Sequence, residues 1–176
     1  MKQLFSTLAA ALLLFGTATA QQGDKPRQSP PATVSQTLKS GAVVTINYGQ
    51  PSIKGRTVGK DVEPMDGQVW RAGANEATVF ETSKAITVSG KALPAGKYAF
   101  FILRKGNEST LIFNKKWNTW GAYDYEKNKK QDALKVIIPA PDMQTMEFYE
   151  QLTYKISPEG VVSMGWGNYK VAFQLK

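Results

Sequence analysis

The sequence contains no cysteine and no histidine among its 176 residues. The absence of cysteine excludes disulfides, thiolate nucleophiles and zinc-thiolate sites. The absence of histidine excludes imidazole acid/base chemistry, Ser-His-Asp triads and the commonest transition-metal ligand. Any catalysis would therefore depend on carboxylates, amines, guanidinium groups or hydroxyls, or on a hard metal ion held by oxygen ligands.

The sequence also lacks the run of about 20 apolar residues that a membrane-spanning helix needs. Its N-terminus instead has Lys2, an apolar stretch over Leu8–Phe15 and small residues at Ala18–Ala20. This pattern predicts a secretory signal peptide over residues 1–20, cleaved near Ala20. We therefore expect an exported protein, periplasmic or extracellular, with no transmembrane segment in the mature chain.

The rest of the chain suits one domain that is large enough to form a hydrophobic core without disulfides. Residues 21–32 are polar and rich in proline, which predicts an extended arm. Residues 33–176 form the predicted domain. The sequence carries no signal for an oligomeric state.

Basic residues outnumber acidic ones by 22 to 14, and loss of Lys2 with the leader leaves 21 against 14, a net charge of +7. A basic excess favours anionic partners. In an exported protein a glycan or another anionic envelope component is a more suitable partner than nucleic acid. The alternative is that the charge only aids solubility.

Apolar residues alternate with polar ones along most of the domain, as in half-buried strands. We predict about nine or ten strands and an all-β fold, either an antiparallel β-sandwich or a jelly-roll-like barrel. Tyr98–Leu103 is apolar on both faces, which is typical of a central strand. Two long loops, Gln50–Gly67 and Asn114–Asp132, interrupt the pattern, and the best helical candidate is Asp142–Glu147.

Two strand pairs are predicted near the C-terminus. The first pairs Leu134–Ile138 with Phe148–Ile156. The second pairs Val161–Trp166 with Tyr169–Leu175 across Gly167-Asn168.

The segment WRAGANEATVF, residues 70–80, contains the densest group of chemically informative side chains. In one interpretation Arg71, Asn75 and Glu76 form the rim of a binding pocket, with Arg56 from the first loop beside them. In the other, Arg71 pairs with Glu76 in a structural network while Trp70 fills the core. The second interpretation is favoured, because such networks specify a conformation more often than they catalyse.

The second loop contains four aromatic residues, Trp117, Trp120, Tyr123 and Tyr125. Aromatic side chains in a polar loop can stack on sugars or cations, and they can also anchor a loop on a sheet. We expect packing roles for Trp120 and Tyr123, and consider Trp117 or Tyr125 the candidates to face a ligand. The candidate binding residues taken together are Arg56, Trp70, Arg71, Asn75, Glu76, Trp117, Trp120 and Tyr123.

Acidic residues give no clear site of their own. Asp61, Glu63 and Asp66 match no calcium-binding loop, so we expect a solvated turn and predict neither a metal nor a cofactor. No catalytic residue is predicted. If the protein is an enzyme, Glu76 is the candidate, with a second acid such as Asp61, Asp66 or Asp124.

Several runs resemble those of an exported family known as domain of unknown function 2911, mainly from Bacteroidetes. The runs that carry the resemblance are Arg27–Pro30, Tyr48–Arg56, Val69–Thr78, Leu93–Tyr98 and Trp120–Tyr123. The resemblance implies an exported, mostly β domain. The family has no established activity, cofactor or catalytic residue that could be transferred to this sequence. The resemblance also implies that the arm at Arg27–Pro30 docks on the domain.

Three functions remain open on these grounds. The favoured one is a non-enzymatic binding or envelope-associated module for a glycan or other anionic envelope component. The second is a carboxylate-dependent, glycan-directed hydrolase that uses Glu76. The third is a scaffold domain that packs against other proteins.

Overall fold

A computed structural model describes residues 26–139 and 147–176. Within these ranges the chain forms twelve strands, one short helix and one 3₁₀ turn. The elements are β1 (Pro31–Thr37), β2 (Val43–Gly49), β3 (Val69–Trp70), β4 (Ala74–Thr82), β5 (Ile86–Val88), β6 (Lys91–Leu93), β7 (Gly96–Lys105), β8 (Glu108–Asn114), α1 (Tyr125–Asn128), the 3₁₀ turn (Lys129–Gln131), β9 (Asp132–Pro139), β10 (Tyr149–Ile156), β11 (Val161–Gly167) and β12 (Tyr169–Gln174).

The strands form a large antiparallel sheet and a small one. The large sheet has the order β1-β2-β4-β7-β8-β9, and β3 pairs with part of β7. The small sheet has the order β10-β11-β12, and the β5-β6 hairpin joins its edge through a bridge between Val88 and Leu175. The two sheets keep separate edges, so the sandwich is the correct one of the two predicted architectures.

The main core lies between the two sheets. Phe80, Phe100 and Phe113 from the large sheet are fully buried and contact one another, with ring centroids 5.1 to 6.4 Å apart. Phe173 from the small sheet packs against Phe100 at 5.9 Å. This aromatic cluster holds the two sheets together at the centre of the sandwich.

A second, smaller core covers the outer face of the large sheet. Ala99, Phe101 and Ile112 point to this side, and Tyr125 from α1 packs on them, with its ring 5.3 Å from that of Phe101. Strand β7 is therefore buried on both faces, as predicted for Tyr98–Leu103. The physical reason is that the second loop folds back over the sheet.

The pairing of the C-terminal strands was predicted correctly in one case. β11 pairs with β12, but β9 pairs with β8, and β10 pairs with β11 in the other sheet. The predicted pairing of Leu134–Ile138 with Phe148–Ile156 is therefore wrong, because the chain crosses from one sheet to the other between them. Most of the helical candidate Asp142–Glu147 lies outside the described residues.

The structure also differs from the prediction at the end of the arm and within the second loop. β1 begins at Pro31, within the segment predicted as an arm, and pairs with β2 along its full length. The second loop contains α1 and the 3₁₀ turn, neither of which the sequence pattern indicated. The predicted signal peptide lies outside the described residues.

In the part of the chain that the structure describes, no helix is long and apolar enough to cross a membrane.

We expect the substitution Phe113→Ala to lower the free energy of unfolding by about 3–5 kcal/mol, because a fully buried ring is replaced by a cavity. Urea denaturation followed by tryptophan fluorescence would measure the change. The control is Ile137→Ala on the neighbouring strand β9, where the side chain is 62% exposed and little effect is expected. Equal losses in the two variants would contradict the assigned core.

Candidate functional site

The candidate site stands on a pair of tryptophans that join the two sheets. Trp70 on β3 and Trp166 on β11 stack with centroids 5.6 Å apart and an angle of 14° between the rings. Both side chains are almost completely buried. The stack therefore forms a rigid apolar floor where an edge of the sandwich meets the first loop.

The turn that follows Trp70 has an unusual backbone. Ala72 and Asn75 both have positive φ, 52° and 63°, a conformation that costs most L residues about 1–2 kcal/mol. Two hydroxyl groups donate hydrogen bonds to the Ala72 carbonyl, from Thr78 at 3.0 Å and from Tyr154 at 2.7 Å. The Trp70 indole Nε1 donates to the Gly73 carbonyl at 3.0 Å. These buried bonds hold the turn in its strained shape.

The same turn distorts the start of β4. Gly49 pairs with Ala74 and Asn47 pairs with Val79, so residues 75–78 lie opposite Tyr48 alone. This bulge breaks the alternation that would put Glu76 and Thr78 in similar surroundings. Thr78 is buried, whereas the Glu76 side chain is 51% exposed.

An open cleft of about 290 Å³ lies above the tryptophan pair. Its walls bring together Arg56 from the first loop, Arg71 and Asn75 from the strained turn, and Gln28 and Ser29 from the arm. Trp70 and Trp166 also line it. Four of the candidates predicted from the sequence border this one cleft: Arg56, Trp70, Arg71 and Asn75.

Backbone carbonyl groups hold the two arginines in place. Arg56 donates from Nε to Ile53 O at 2.8 Å and from Nη2 to Ser52 O at 2.7 Å. Arg71 donates from Nη1 to Asn75 O at 2.8 Å. Among the described residues neither guanidinium has a carboxylate within 4 Å.

One acidic residue, Glu63, also lines the cleft. Its carboxylate accepts a hydrogen bond from the Met65 backbone N–H at 2.8 Å. Two guanidinium groups against one carboxylate leave the cleft with a positive charge. Because a guanidinium presents its donors as a planar fork, the cleft suits a carboxylate, phosphate or sulfate group.

The pairing of Arg71 with Glu76 expected from the sequence is wrong. Glu76 pairs instead with Arg27 of the arm, whose Nη1 lies 2.9 Å from both carboxylate oxygens. The backbone N–H of Glu76 itself and then the Arg27 guanidinium lower the pKa of the Glu76 carboxyl, against an opposing effect of burial. Glu76 is therefore ionised and engaged at neutral pH.

The arm docks on the domain through further contacts. Asn75 donates from Nδ2 to Ser29 O at 3.0 Å, and the Gln50 N–H donates to Pro30 O at 2.8 Å. Ser29 and Pro30 directly precede β1 along the chain. The arm thus supplies one wall of the cleft, in agreement with the expectation that it does not trail freely.

Three aromatic residues of the second loop are exposed: Trp117 at 42%, Trp120 at 57% and Tyr123 at 74%. The packing role expected for Trp120 and Tyr123 is wrong, because both side chains are exposed. The ligand-facing role considered for Tyr125 is also wrong, because Tyr125 is buried and is the residue of this loop that packs on the sheet. The Trp120 backbone bridges to Glu76, and the Arg71 guanidinium lies 5.4 Å from the Tyr123 ring centroid. Tyr123 therefore adjoins the cleft through Arg71, and Trp120 lies beside Glu76, which lines a neighbouring groove. Trp117 lies near Lys97, a residue of β7.

The three residues considered as a second catalytic acid beside Glu76 form hydrogen bonds or ion pairs with other groups. Asp61 accepts the Thr57 N–H at 2.8 Å, Asp66 accepts the Gly106 N–H at 2.7 Å, and Asp124 pairs with Lys127 at 2.9 Å. Within the described ranges no group of three or more acidic residues could hold a metal ion.

Three residues that shape the site were not predicted from the sequence: Arg27, Tyr154 and Trp166. Arg27 lies in a run that carried the family resemblance, which was the only available signal for it. Tyr154 and Trp166 looked like ordinary core residues of alternating strands. Their contribution arises from contacts between the two sheets, which strand patterns do not reveal.

The comparison with protein families gives one match, and it covers most of the chain. A family model described as "Protein of unknown function (DUF2911)" matches residues 29–175. The chain belongs to this family. No curated protein and no solved structure matches the chain.

We expect Tyr154→Phe to lower the free energy of unfolding by about 1 kcal/mol, because it removes a buried hydrogen bond to the Ala72 carbonyl. The control is Tyr149→Phe, which removes a hydroxyl at the surface and should have a smaller effect. Urea denaturation would measure both. An unchanged free energy of unfolding in Tyr154→Phe would contradict the view that the Tyr154 hydroxyl helps to hold the turn.

We expect Glu76→Ala to reduce the hydrogen-exchange protection of the Gln50 amide up to about fivefold, the upper range for an exposed ion pair. Since the Glu76 pKa is lowered on folding, the pair contributes above the ordinary glutamate pKa of about 4.3 and is lost as the pH falls through the lowered value. Wild-type protection, corrected for intrinsic exchange, should fall on acidification towards that of the variant.

The matched control for this measurement is Glu81→Ala on the same strand, which breaks the surface pair with Lys97. It should leave the Gln50 amide unchanged. Unchanged protection in Glu76→Ala would contradict the view that Arg27 and Glu76 hold the arm.

Proposed function

We propose that this member of the DUF2911 family is a non-enzymatic binding module for an anionic glycan or a similar anionic component of the cell envelope. The observation that carries the proposal is the pair Arg56 and Arg71. Their guanidinium groups line one open cleft and, within the described residues, have no acidic partner. A group with negative charge would complete their hydrogen bonding.

The geometry favours recognition because the cationic groups are fixed before a ligand arrives. Each arginine is oriented by backbone carbonyls, and the turn that carries Arg71 is held by buried bonds. A preorganised site loses less conformational entropy on binding. The cleft volume of about 290 Å³ is at the lower end for a small-molecule site, which suits one sugar unit or an acidic substituent.

The exposed aromatic residues extend this surface beyond the cleft. Tyr123 contacts Arg71, and Trp120 lies beside Glu76 at the neighbouring groove. Exposed aromatic rings next to cationic and amide groups are the arrangement by which proteins stack on sugar rings while binding acidic substituents. This combination supports a glycan more than a simple inorganic anion.

The hydrolase alternative has less support. Glu76 is ionised and paired with Arg27, so it is unsuited to act as a general acid. The groove that contains Glu76, about 260 Å³ in volume, is lined by no second carboxylate among the described residues. Glycoside hydrolysis ordinarily needs two carboxyl groups across the scissile bond.

The export of the protein and its role as a scaffold that packs against other proteins stay predictions from the sequence.

Binding of oligogalacturonate, a uronic acid oligosaccharide, measured by isothermal titration calorimetry would test the proposal. We expect Arg56→Gln and Arg71→Gln each to weaken binding about tenfold, since a charge-assisted hydrogen bond contributes about 1.5–3 kcal/mol. The charge-matched control is Arg104→Gln, because Arg104 packs on Tyr169 and does not line the cleft. Neutral dextran should bind weakly or not at all.

Two results would contradict the binding module. One is an equal effect of all three arginine substitutions, which would indicate nonspecific charge attraction. The other is a release of reducing sugar ends by the wild-type protein that Glu76→Gln abolishes, which would favour the hydrolase.

A further inference from the structure

The outer face of the small sheet carries a groove that is separate from the arginine cleft and from the groove that contains Glu76. It has a volume of about 260 Å³ and shares no residue with that cleft. It is lined by Tyr149, Thr153, Lys155, Ser163, Met164, Gly165, Lys170, Val171 and Ala172. All of these residues belong to β10, β11 or β12.

The depth of the groove comes from small side chains at its base. Ser163 on β11 and Ala172 on β12, which pair with each other, leave space above the sheet. The Tyr149 ring occupies the space over Gly165, where an added Cβ would lie only 2.6 Å from Tyr149 Cδ2. A larger residue at this position would displace the ring.

Tyr149 is held at the rim of the groove from two sides. Its hydroxyl donates to Glu147 Oε2 at 2.7 Å. Its ring lies within 5.5 Å of the Lys155 Nζ and 5.3 Å of the Lys170 Nζ, measured to the centroid. The aromatic ring therefore has a defined position before any ligand binds.

The charge around the groove is positive. Among the described residues neither Lys155 nor Lys170 forms an ion pair within 4 Å. Glu147 accepts the Tyr149 hydrogen bond, which lowers the pKa of its carboxyl most, and the charges of the two lysines lower that pKa further. Two ammonium groups against one carboxylate leave a net positive site beside the ring.

We infer that this groove is a carbohydrate-binding site, specific for an acidic sugar unit, on the outer face of β10-β12. The Tyr149 ring would pack on the apolar face of a pyranose. Lys155 and Lys170 lie on two different strands and would bind its carboxylate or sulfate, while the Thr153 and Ser163 hydroxyls are available to sugar hydroxyls. The site is independent of the arginine cleft and does not depend on the function proposed for it.

Binding of polygalacturonate in affinity electrophoresis tests the inference, with the purified wild-type protein as reference. Tyr149→Ala and the double substitution Lys155→Gln/Lys170→Gln should each weaken binding at least about fivefold, a loss in the range of one or two cation or stacking contacts. Tyr149→Phe keeps the ring and should retain most of the binding. The double substitution Lys129→Gln/Lys130→Gln, on the exposed 3₁₀ turn, removes the same number of charges and is the control for a change of charge.

The result that overturns the inference is a loss in Tyr149→Ala and in Lys155→Gln/Lys170→Gln no larger than that in the control Lys129→Gln/Lys130→Gln. Binding that depends on the two lysines but is equal for Tyr149→Ala and wild type would also overturn it, because no ring stacking would be involved. Binding to vesicles of phosphatidylglycerol without binding to the polysaccharide would assign the groove to a lipid surface instead.

The arginine cleft is tested separately in the same assay. A protein with Arg56→Gln and Arg71→Gln should retain the part of the binding that depends on Tyr149, Lys155 and Lys170. Failure of the cleft proposal would therefore leave this result unaffected, and the reverse also holds. Thermal unfolding of each variant shows whether a loss of binding reflects a loss of folding.

Discussion

The stack between Trp70 and Trp166 is the contact on which the candidate site depends. It joins the large sheet to the small one and places two buried rings beneath the cleft. The turn that follows Trp70 then leaves the sheet in a strained conformation, and Tyr154 from the small sheet donates a hydrogen bond to it. The position of Arg71 is therefore a consequence of how the two sheets meet.

The charges around this junction are divided between two roles. Arg27 satisfies Glu76 and fastens the arm, so one cation and one anion serve the structure. Arg56 and Arg71 are bound to carbonyl groups, which orient a guanidinium without neutralising it. The cleft keeps a positive charge because its cations are held by neutral acceptors. Lys155 and Lys170 also lie beside a neutral group, the aromatic ring of Tyr149, which does not cancel their charge.

Much of the fold could be predicted because strand periodicity is a local property. The alternation of side chains located most strands, and the doubly apolar Tyr98–Leu103 identified the central one. The partner of β9 was mispredicted because two strands adjacent in sequence lie in different sheets. The second loop was misjudged for a related reason: Tyr125, rather than Trp120 or Tyr123, faces the outer surface of the sheet, and a short helix sets that direction.

The sequence by itself determined the chemistry that the protein can use, since a chain without histidine or cysteine is restricted to carboxylates, cations, amides and hydroxyls. It also indicated Arg56, Arg71 and Asn75, because polar residues clustered around glycines are recognisable locally. Only the tertiary structure decided that Glu76 pairs with Arg27, 49 residues away, and not with Arg71 nearby. Electrostatic pairing depends on distance in space, and the bulge in β4 turns Glu76 towards the arm in a way that no sequence spacing encodes.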